Sequence, residues 1–544
     1  MANTTRGPQE TPVERVPDDI LREIFVHCLP PLDGPASPSV TEGALQVSQV
    51  CSNWRAVTHE YGRLWRSLAI RRAHLEPALV DETRRWLERS HQAPVHFQLV
   101  FTSDIPTRIR QLRTCIGQVS GYNRNLLWDQ TTAASLSREL KRKYEDELEE
   151  ILTDAPLPPP PNLLFKMVKG SVGSSITRLV LRNIPIPNLV RLPRRTFPNL
   201  ERLVLVCMDR LDCWQFDWVV CGPIKAFLDC PSFQYVALGR FFRGEQSDFI
   251  LLPFHQITHL IDCGPFYDSQ QHSCVIAEQV LSTSTSLRLF HMSFADTYGT
   301  IPSALAESTI VSSSVESLSV ESKNRPWISA AFSRIFRFPN LQSFRFLGPI
   351  AEVSTFLENG YGSKLEHVSL LQRQETVPAA IFGMLSERAP QLRSLEVTYD
   401  ALLNLFISLN STPPTLPHLQ VLFIRCEGTW PAVNNTARIQ AFFDEDFKRP
   451  HGQQFRTVKI FDESARPDAP AYISGMLFHF FRRCFAEAGT EFDVTLEAVE
   501  GPDNVMHPLF QDPELQGWEG LSELCAEGRD NTFLYSHIAH NLQQ

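Results

Sequence analysis

ITRLVL at residues 176–181 and LERLVL at residues 200–205 are one phrase written twice: an apolar residue, two others, an apolar residue, one other, an apolar residue. Its inner alternation has the period of a β-strand, which puts Leu179 with Leu181, and Leu203 with Leu205, on one face. Further along, the phrase returns as FQYVAL from Phe233, LRLFHM from Leu287, VESLSV from Val315 and LQSFRF from Leu341. It continues as LEHVSL from Leu365, LRSLEV from Leu392, LQVLFI from Leu419 and FRTVKI from Phe455. A weaker copy, ITHLID from Ile257, has Asp262 in its last apolar slot. Successive starts lie 24, 33, 24, 30, 28, 26, 24, 27, 27 and 36 residues apart. Several copies share a lead-in: Phe197-Pro198-Asn199, Phe338-Pro339-Asn340, Ala389-Pro390-Gln391 and Leu416-Pro417-His418.

That spacing is similar to the leucine-rich repeats, whose period is about 20–29 residues. Each phrase then reads as a strand of a parallel sheet, and the stretch between phrases as a return helix on the outer side. ESTIVSS, ISAAFSRIFR, VSTFLENG and AAIFGMLSERAP are expected to be such helices. One repeat cannot bury its apolar face alone, so neighbours stack into a solenoid. An ordinary α/β sheet with chance-similar strands is the alternative, and the number of copies argues against it. The repeats lack the usual asparagine after the strand and vary in length, which predicts an irregular arc. The third and fifth slots of each phrase would face outward on the inner surface. They place Arg178, Arg202, Tyr235, His259, His291, Arg345, His367, Glu396 and Lys459 as candidate substrate-binding residues, since concave repeat surfaces hold partners.

A different pattern fills the start of the chain, VERVPDDILREIFVHCLP at 13–30 and ALQVSQVCSNWRAVTHEYGRLWRSLAI at 44–70. Pro17 suits a helix start, and Asp18 and Asp19 suit its positive end. Ile20, Leu21, Ile24, Phe25 and Cys28 then fall on one helical face. A second helix is expected from Ser39, with Glu42 at capping-box spacing and Val47, Val50, Cys51, Trp54 and Val57 as its stripe. A third short helix carries Leu64, Trp65 and Leu68. Three short helices make a core too small to be comfortable alone.

The blocks Val16-Pro17-Asp18-Asp19-Ile20-Leu21, Val50-Cys51-x-x-Trp54-Arg55 and Leu64-Trp65 resemble the F-box, with a lengthened spacer from Pro30 to Val40. The resemblance implies docking on the Skp adaptor, and through it a cullin, in a ubiquitin ligase. Pro17, Ile20, Leu21, Ile24, Phe25, Val50, Cys51, Trp54, Leu64 and Trp65 would make or shape that docking surface. Trp54, Leu21 and Ile24 would be its energetic anchors. The plainer reading of the same residues is a helical hairpin core.

The fold class expected is therefore α/β, a three-helix F-box at 13–70 followed by an irregular leucine-rich-repeat-like solenoid at 163–500. Residues 1–12 are expected to be a disordered N-terminus. Residues 71–162 would connect the two, with a helix from Val80 to about Ser90, a strand at Val95 to Phe101, a charged helical insertion at 103–155 and the stiff proline linker APLPPPPN. A last helix is expected at 473–488, a closing strand around Val494, and a cap or tail at 501–544.

A length of 544 residues exceeds what one core holds comfortably, and 43% hydrophobic with 21% charged residues is a globular balance. A net charge of −10 offers no footprint for nucleic acid or an anionic membrane. No apolar run is long enough for a membrane span and no secretory signal is visible. The 12 cysteines are sparse, which fits reduced thiols in the cytoplasm or nucleus. Cys207, Cys213, Cys221 and Cys230 lack the paired spacing of zinc ligands, so no metal is expected. Nor is any cofactor, because phosphate-loop, dinucleotide, zincin and nucleophile-elbow motifs are absent. The expected function is that of a non-catalytic substrate receptor of a ubiquitin ligase. A repeat scaffold that binds a partner without any ligase is the alternative.

Overall fold

The computed structural model describes residues 16–29, 43–72, 77–91, 93–101, 142–143, 146, 162–184, 186–207, 223–239, 250–262, 270–294, 309–322, 334–348, 351–358, 363–371, 377–409, 415–426, 457–462, 479, 482 and 493–498. The expected N-terminal tail, proline linker and C-terminal tail lie outside them, as do nearly all of the charged insertion and the last helix. The chain divides at Phe233 and Gln234 into two compact units, with Asp248–Pro253 returning to the first.

The first unit opens with α1 (Asp18–His27), α2 (Gly43–Ser48) and α3 (Ser52–Glu60), followed by a 3₁₀ turn at Gly62–Trp65. Asp18 and Asp19 occupy the first turn of α1, as their charge predicts. The single helix expected from Ser39 is instead two. Cys51 adopts extended backbone and its Sγ accepts the Trp54 N–H at 3.4 Å, so it caps a new helix where the sequence stripe runs on unbroken. The third helix shrinks to the 3₁₀ turn, and Leu68 belongs to a strand.

That strand, β1 (Ser67–Arg72), is followed by α4 (Pro77–Glu88) and β2 (Val95–Phe101). Next come α5 (Leu163–Val168), α6 (Ser171–Ser175), β3 (Ile176–Ile184), α7 (Ile186–Val190) and β4 (Arg202–Cys207). The order β1-β2-β3-β4 is parallel throughout. The parallel sheet thus starts at β1, well before the repeat phrases become legible. Leu68, Ile70, Phe97, Leu99, Leu179, Leu181, Leu203 and Leu205 are all buried on one face of it. α4 packs against α5 and α6. Trp65 packs on Trp86 of α4, tying the helical module to the start of the sheet.

The second unit continues the pattern with β5 (Tyr235–Gly239), β6 (His259–Asp262), α8 (Gln270–Thr283), β7 (Leu289–Phe294), β8 (Ile310–Val311), β9 (Ser317–Ser322) and β10 (Phe336–Arg337). It goes on through β11 (Ser343–Leu347), α9 (Ala351–Glu358), β12 (His367–Leu371), α10 (Ala379–Arg388), β13 (Ser394–Thr398) and α11 (Leu402–Leu409). It closes with β14 (Val421–Cys426), β15 (Thr457–Asp462) and β16 (Asp493–Ala498), the last of these at the expected closing strand. Its sheet runs β5-β6-β7-β9-β11-β12-β13-β14-β15-β16, again parallel at each pairing. The molecule is thus α/β, with a large parallel sheet and helices around it, consistent with a solenoid-like repeat. The outer helices read from VSTFLENG and AAIFGMLSERAP are α9 and α10. ESTIVSS and the end of ISAAFSRIFR instead pair as β8 with β10 in a small separate sheet. Ile310-Val311 and Phe336 are β-formers, and a short pairing satisfies their backbone better than a helix of one turn.

Two details explain the repeat phrase. The lead-in is a tight turn: the N–H of Leu200, Leu341, Leu392 and Leu419 each donates to the carbonyl three residues back, at Phe197, Phe338, Ala389 and Leu416. Where the lead-in carries asparagine, its side chain ties to the previous repeat. Asn199 Nδ2 donates to the Ser174 carbonyl and Asn340 Nδ2 to the Ser313 carbonyl, both at 2.7 Å. Along the second unit the second position of a phrase donates its N–H to the second position of the phrase before, as Arg288 to Thr258, Glu316 to Arg288, Gln342 to Glu316 and Glu366 to Gln342. The opening residue of each phrase is fully buried wherever it is described, Phe233, Ile257, Leu287, Val315, Leu341 and Leu365 among them.

Candidate functional site

Two surfaces carry the side chains singled out by sequence. The first is the helical module. α1 has one apolar face by spacing, and the structure splits it. Leu21 and Phe25 are 1% and 0% exposed, whereas Ile20 and Ile24 are 49% and 45% exposed. Val50, in the turn before α3, is 58% exposed. Burying a side chain of this size is worth about 1.5–3 kcal/mol, so leaving three of them wet in one small module needs a reason. Pro17 is exposed as well, and Cys51 and Trp54 are half-buried.

The remaining candidates form the module's own core. Leu64 and Trp65 are 2% and 0% exposed. The Trp54 ring sits 4.8 Å from Phe25. Trp65 Nε1–H donates to the Thr58 carbonyl at 2.8 Å, and the His59 ring lies edge-on to Trp65 at 5.8 Å. Burial, then the charges of Arg89 and Arg55, hold the His59 ring below the usual imidazole range. Leu21, expected among the anchors, is therefore a core residue. The i, i+1, i+4, i+5 spacing cannot separate the face turned inward from the one left outside, because both flank the same stripe.

The second surface is the outward face of the strands. Register aligns Tyr235, His259, Leu289, Ser317, Ser343, His367, Ser394, Val421 and Thr457 in one row. Of these only His367 is exposed, and Tyr235 and His259 are buried with their rings stacked 4.7 Å apart. Burial lowers the His367 ring, and the opposing effects of Glu366 and Arg393 follow. In the next row His291, Ser319, Arg345, Ser369 and Glu396 are all buried. The expectation that Tyr235, His259, His291, Arg345 and Glu396 face solvent is corrected here.

These groups are internal polar residues, and hydrogen bonds tie several of them to one another, as burial favours. Ser319 Oγ and His291 Nδ1 lie 2.7 Å apart. Ser369 Oγ–H donates to Glu396 Oε2 at 2.5 Å, and Arg425, 1% exposed, forms an ion pair with Glu396 through Nε. Arg178, Arg202 and Lys459 remain half-buried. At the first unit's end His96 shares its row with Arg178 and Arg202. Burial first, then those two charges, push its ring down to about 4. Neither His96 nor Arg425 was legible as special, since each sits in an otherwise ordinary strand.

Cys230 is buried, its Sγ–H donating to the Phe197 carbonyl at 3.0 Å, and burial then the Asp229 charge push the thiol up to about 12. It is a packing residue of the lead-in turn. Cys213, Cys221, Cys263 and Cys274 lie outside the described residues or have undescribed side chains. Among the described residues no three His, Cys, Asp or Glu side chains come together as a metal-holding group. None of the described helices is long and apolar enough to cross a membrane.

Comparison with known proteins adds one assignment. The family described as F-box-like matches residues 13–71, the span that holds α1 to β1. No curated protein matches the chain. Among solved structures, a Bacteroides fragilis protein determined as a Northeast Structural Genomics Consortium target is similar over 55% of this chain and 79% of its own, at 11% identity and a TM-score of 0.27.

Proposed function

We propose that the chain is the substrate-recognition subunit of a Skp–cullin–F-box ubiquitin ligase. Residues 13–71 are F-box-like, and a role in F-box-mediated protein interaction follows from that match. The observation that carries the proposal is the exposure of Ile20, Ile24 and Val50 on that module while Leu21, Phe25, Leu64 and Trp65 close its core. The exposed three would bury against a Skp-type adaptor, with Pro17, Cys51 and Trp54 shaping the edge. The sheet-bearing remainder would hold a target protein. Its contribution would be proximity to the ubiquitin-conjugating machinery, without bond chemistry of its own. It would work in the cytoplasm or nucleus.

The test is co-purification of the full chain with a Skp-type adaptor, wild type against Ile24→Asp and Ile20→Asp. These side chains are half exposed, so the variants keep their core, whereas Leu21→Asp would unfold the module and report nothing about docking. Wild type is expected to retain the adaptor and each variant to lose at least about 30-fold in affinity, the scale of a central anchor. A wild-type chain that holds no adaptor would leave the partner-binding scaffold without a ligase as the reading.

A further inference from the structure

We infer that the seam between α3 and α4 is a basic strip that receives an acidic stretch of the Skp-type adaptor, beside the apolar patch the adaptor would cover. The inference deepens the adaptor-binding half of the reading above and rests on it. α3 brings Arg55 and His59, one turn apart. The end of α4 brings Arg85 and Arg89, again one turn apart, with His91 just beyond. Two of these groups meet the same ring: the Arg89 guanidinium lies 4.6 Å from the centre of Trp65, and the His59 ring is edge-on to it at 5.8 Å. His91 Nε2 is 3.2 Å from the His59 carbonyl oxygen. Arg55, Arg85 and His91 are exposed, and His59 and Arg89 are half-buried.

A single cation near a helix C-terminus is ordinary, since it suits the negative end of the dipole. Here two helix ends bring theirs to one seam, and no described carboxylate pairs with Arg55, Arg85 or Arg89. The acids nearest in sequence are engaged elsewhere or stand off. Glu88 pairs with Arg84 at 2.8 Å, Glu60 faces Arg22 at 3.8 Å, and Asp81, one turn before Arg85, forms no ion pair with it. Burial, then the Arg85 charge, hold the Arg89 guanidinium below the usual arginine range. From Ser52 to Arg66 the charged residues are Arg55, Arg63 and Arg66 against Glu60 alone, in a chain of net charge −10. Cations gathered without counter-charge repel one another, and an anionic partner would relieve that repulsion.

Position chooses the occupant. Arg22, early in α1, approaches Glu60, at the end of α3, whereas Phe25 meets Trp54 near the start of α3. The two helices therefore run antiparallel, with Arg22 and Glu60 on one flank of their contact. At about 100° per residue, Ile20 and Ile24 on α1 and Arg55 and His59 on α3 fall on the other flank. Arg55 Nε–H also donates to the Ser48 carbonyl at 3.2 Å, two residues from the exposed Val50. The basic strip thus continues the exposed apolar patch, and a partner that covers one meets the other. Complementary charge at the border of an interface chiefly steers the encounter and raises the association rate.

The experiment is stopped-flow association of the full chain with a purified Skp-type adaptor across a salt series. Wild type is expected to associate about tenfold more slowly at ~0.5 M salt than at ~0.03 M. Arg85→Glu should slow association at low salt by about threefold or more and flatten the salt dependence, with dissociation nearly unchanged. Arg85 is exposed and forms no ion pair, so this variant keeps the fold. Arg55→Glu should act alike. Arg388→Glu, exposed on α10 of the second unit, should stay near the wild-type rate. A rate indifferent to salt, or unchanged in both Arg85→Glu and Arg55→Glu, would overturn the inference while adaptor binding itself stands. Faster association in either variant would overturn it as well, because the adaptor would then bring cations to the seam. No complex with wild type at any salt removes the reading above, and this inference with it.

Discussion

Trp65 and Trp86 meet edge to face, their ring centroids 4.8 Å apart and their planes at 78°. Arg89 covers the other side of Trp65, its guanidinium 4.6 Å from the ring centre. Trp65 is thereby shut between α3, whose Thr58 takes its N–H, and α4. A residue counted by its sequence block among those that make or shape the docking surface is a joint within the first unit. Trp86→Ala should destabilise that unit by about 3–5 kcal/mol, read as a fall in the urea midpoint, while adaptor affinity of the folded fraction stays as in wild type.

His96 makes the first unit acid-sensitive. Its folded value is about 4, below the ordinary 6.5, so the unfolded chain takes up a proton more readily. Stability contributed by the neutral ring is fully present above pH 6.5 and is lost as pH falls from there to about 4. The loss is of order 3 kcal/mol at most. Urea midpoints at pH 7 and pH 4.5 should differ less in His96→Gln than in wild type.

Glycine 62 is a close-approach position. A Cβ there would lie 2.2 Å from the Ser90 carbonyl oxygen, a backbone atom that cannot swing away. Gly62→Ala should cost about 1–3 kcal/mol as an overpacked contact. Gly383, inside α10, has open space around its missing Cβ, so Gly383→Ala should stabilise by up to about 1 kcal/mol. Thermal melts of the two variants should move in opposite directions.

The Glu396–Arg425 pair lies inside the second unit, 2% and 1% exposed. Removing one partner takes an ion pair from a charge that stays buried, so Glu396→Leu or Arg425→Met alone should cost about 3–5 kcal/mol. The double replacement should cost less than either single one, measured as a double-mutant cycle in urea.

The repeat phrase was readable because its opening leucines and phenylalanines are locked by one requirement, total burial, that only apolar residues meet. β1 belongs to the same sheet yet was hidden, and β2 was legible as a strand at Val95 to Phe101 but not as a member of that sheet. SLAIRR has too few apolar positions to show the phrase, and a long stretch separates β2 from β3. Arg345 and Glu396 were misread for a related reason. A charged residue in an outward slot looks exposed in isolation, and only the partner one strand over shows that it is paired and enclosed. On α1 the apolar stripe was plain, but the choice between Leu21 with Phe25 and Ile20 with Ile24 depends on where α3 docks, and the intervening chain does not encode that locally.

The N–H that each phrase hands to the one before it fixes a rung to its neighbour without reference to what lies between. Starts 24 residues apart and starts 30 apart give the same bond. Extra chain can therefore be paid out between rungs while the ladder keeps its step. Such an architecture can lengthen or shorten its intervening segments and leave its frame alone.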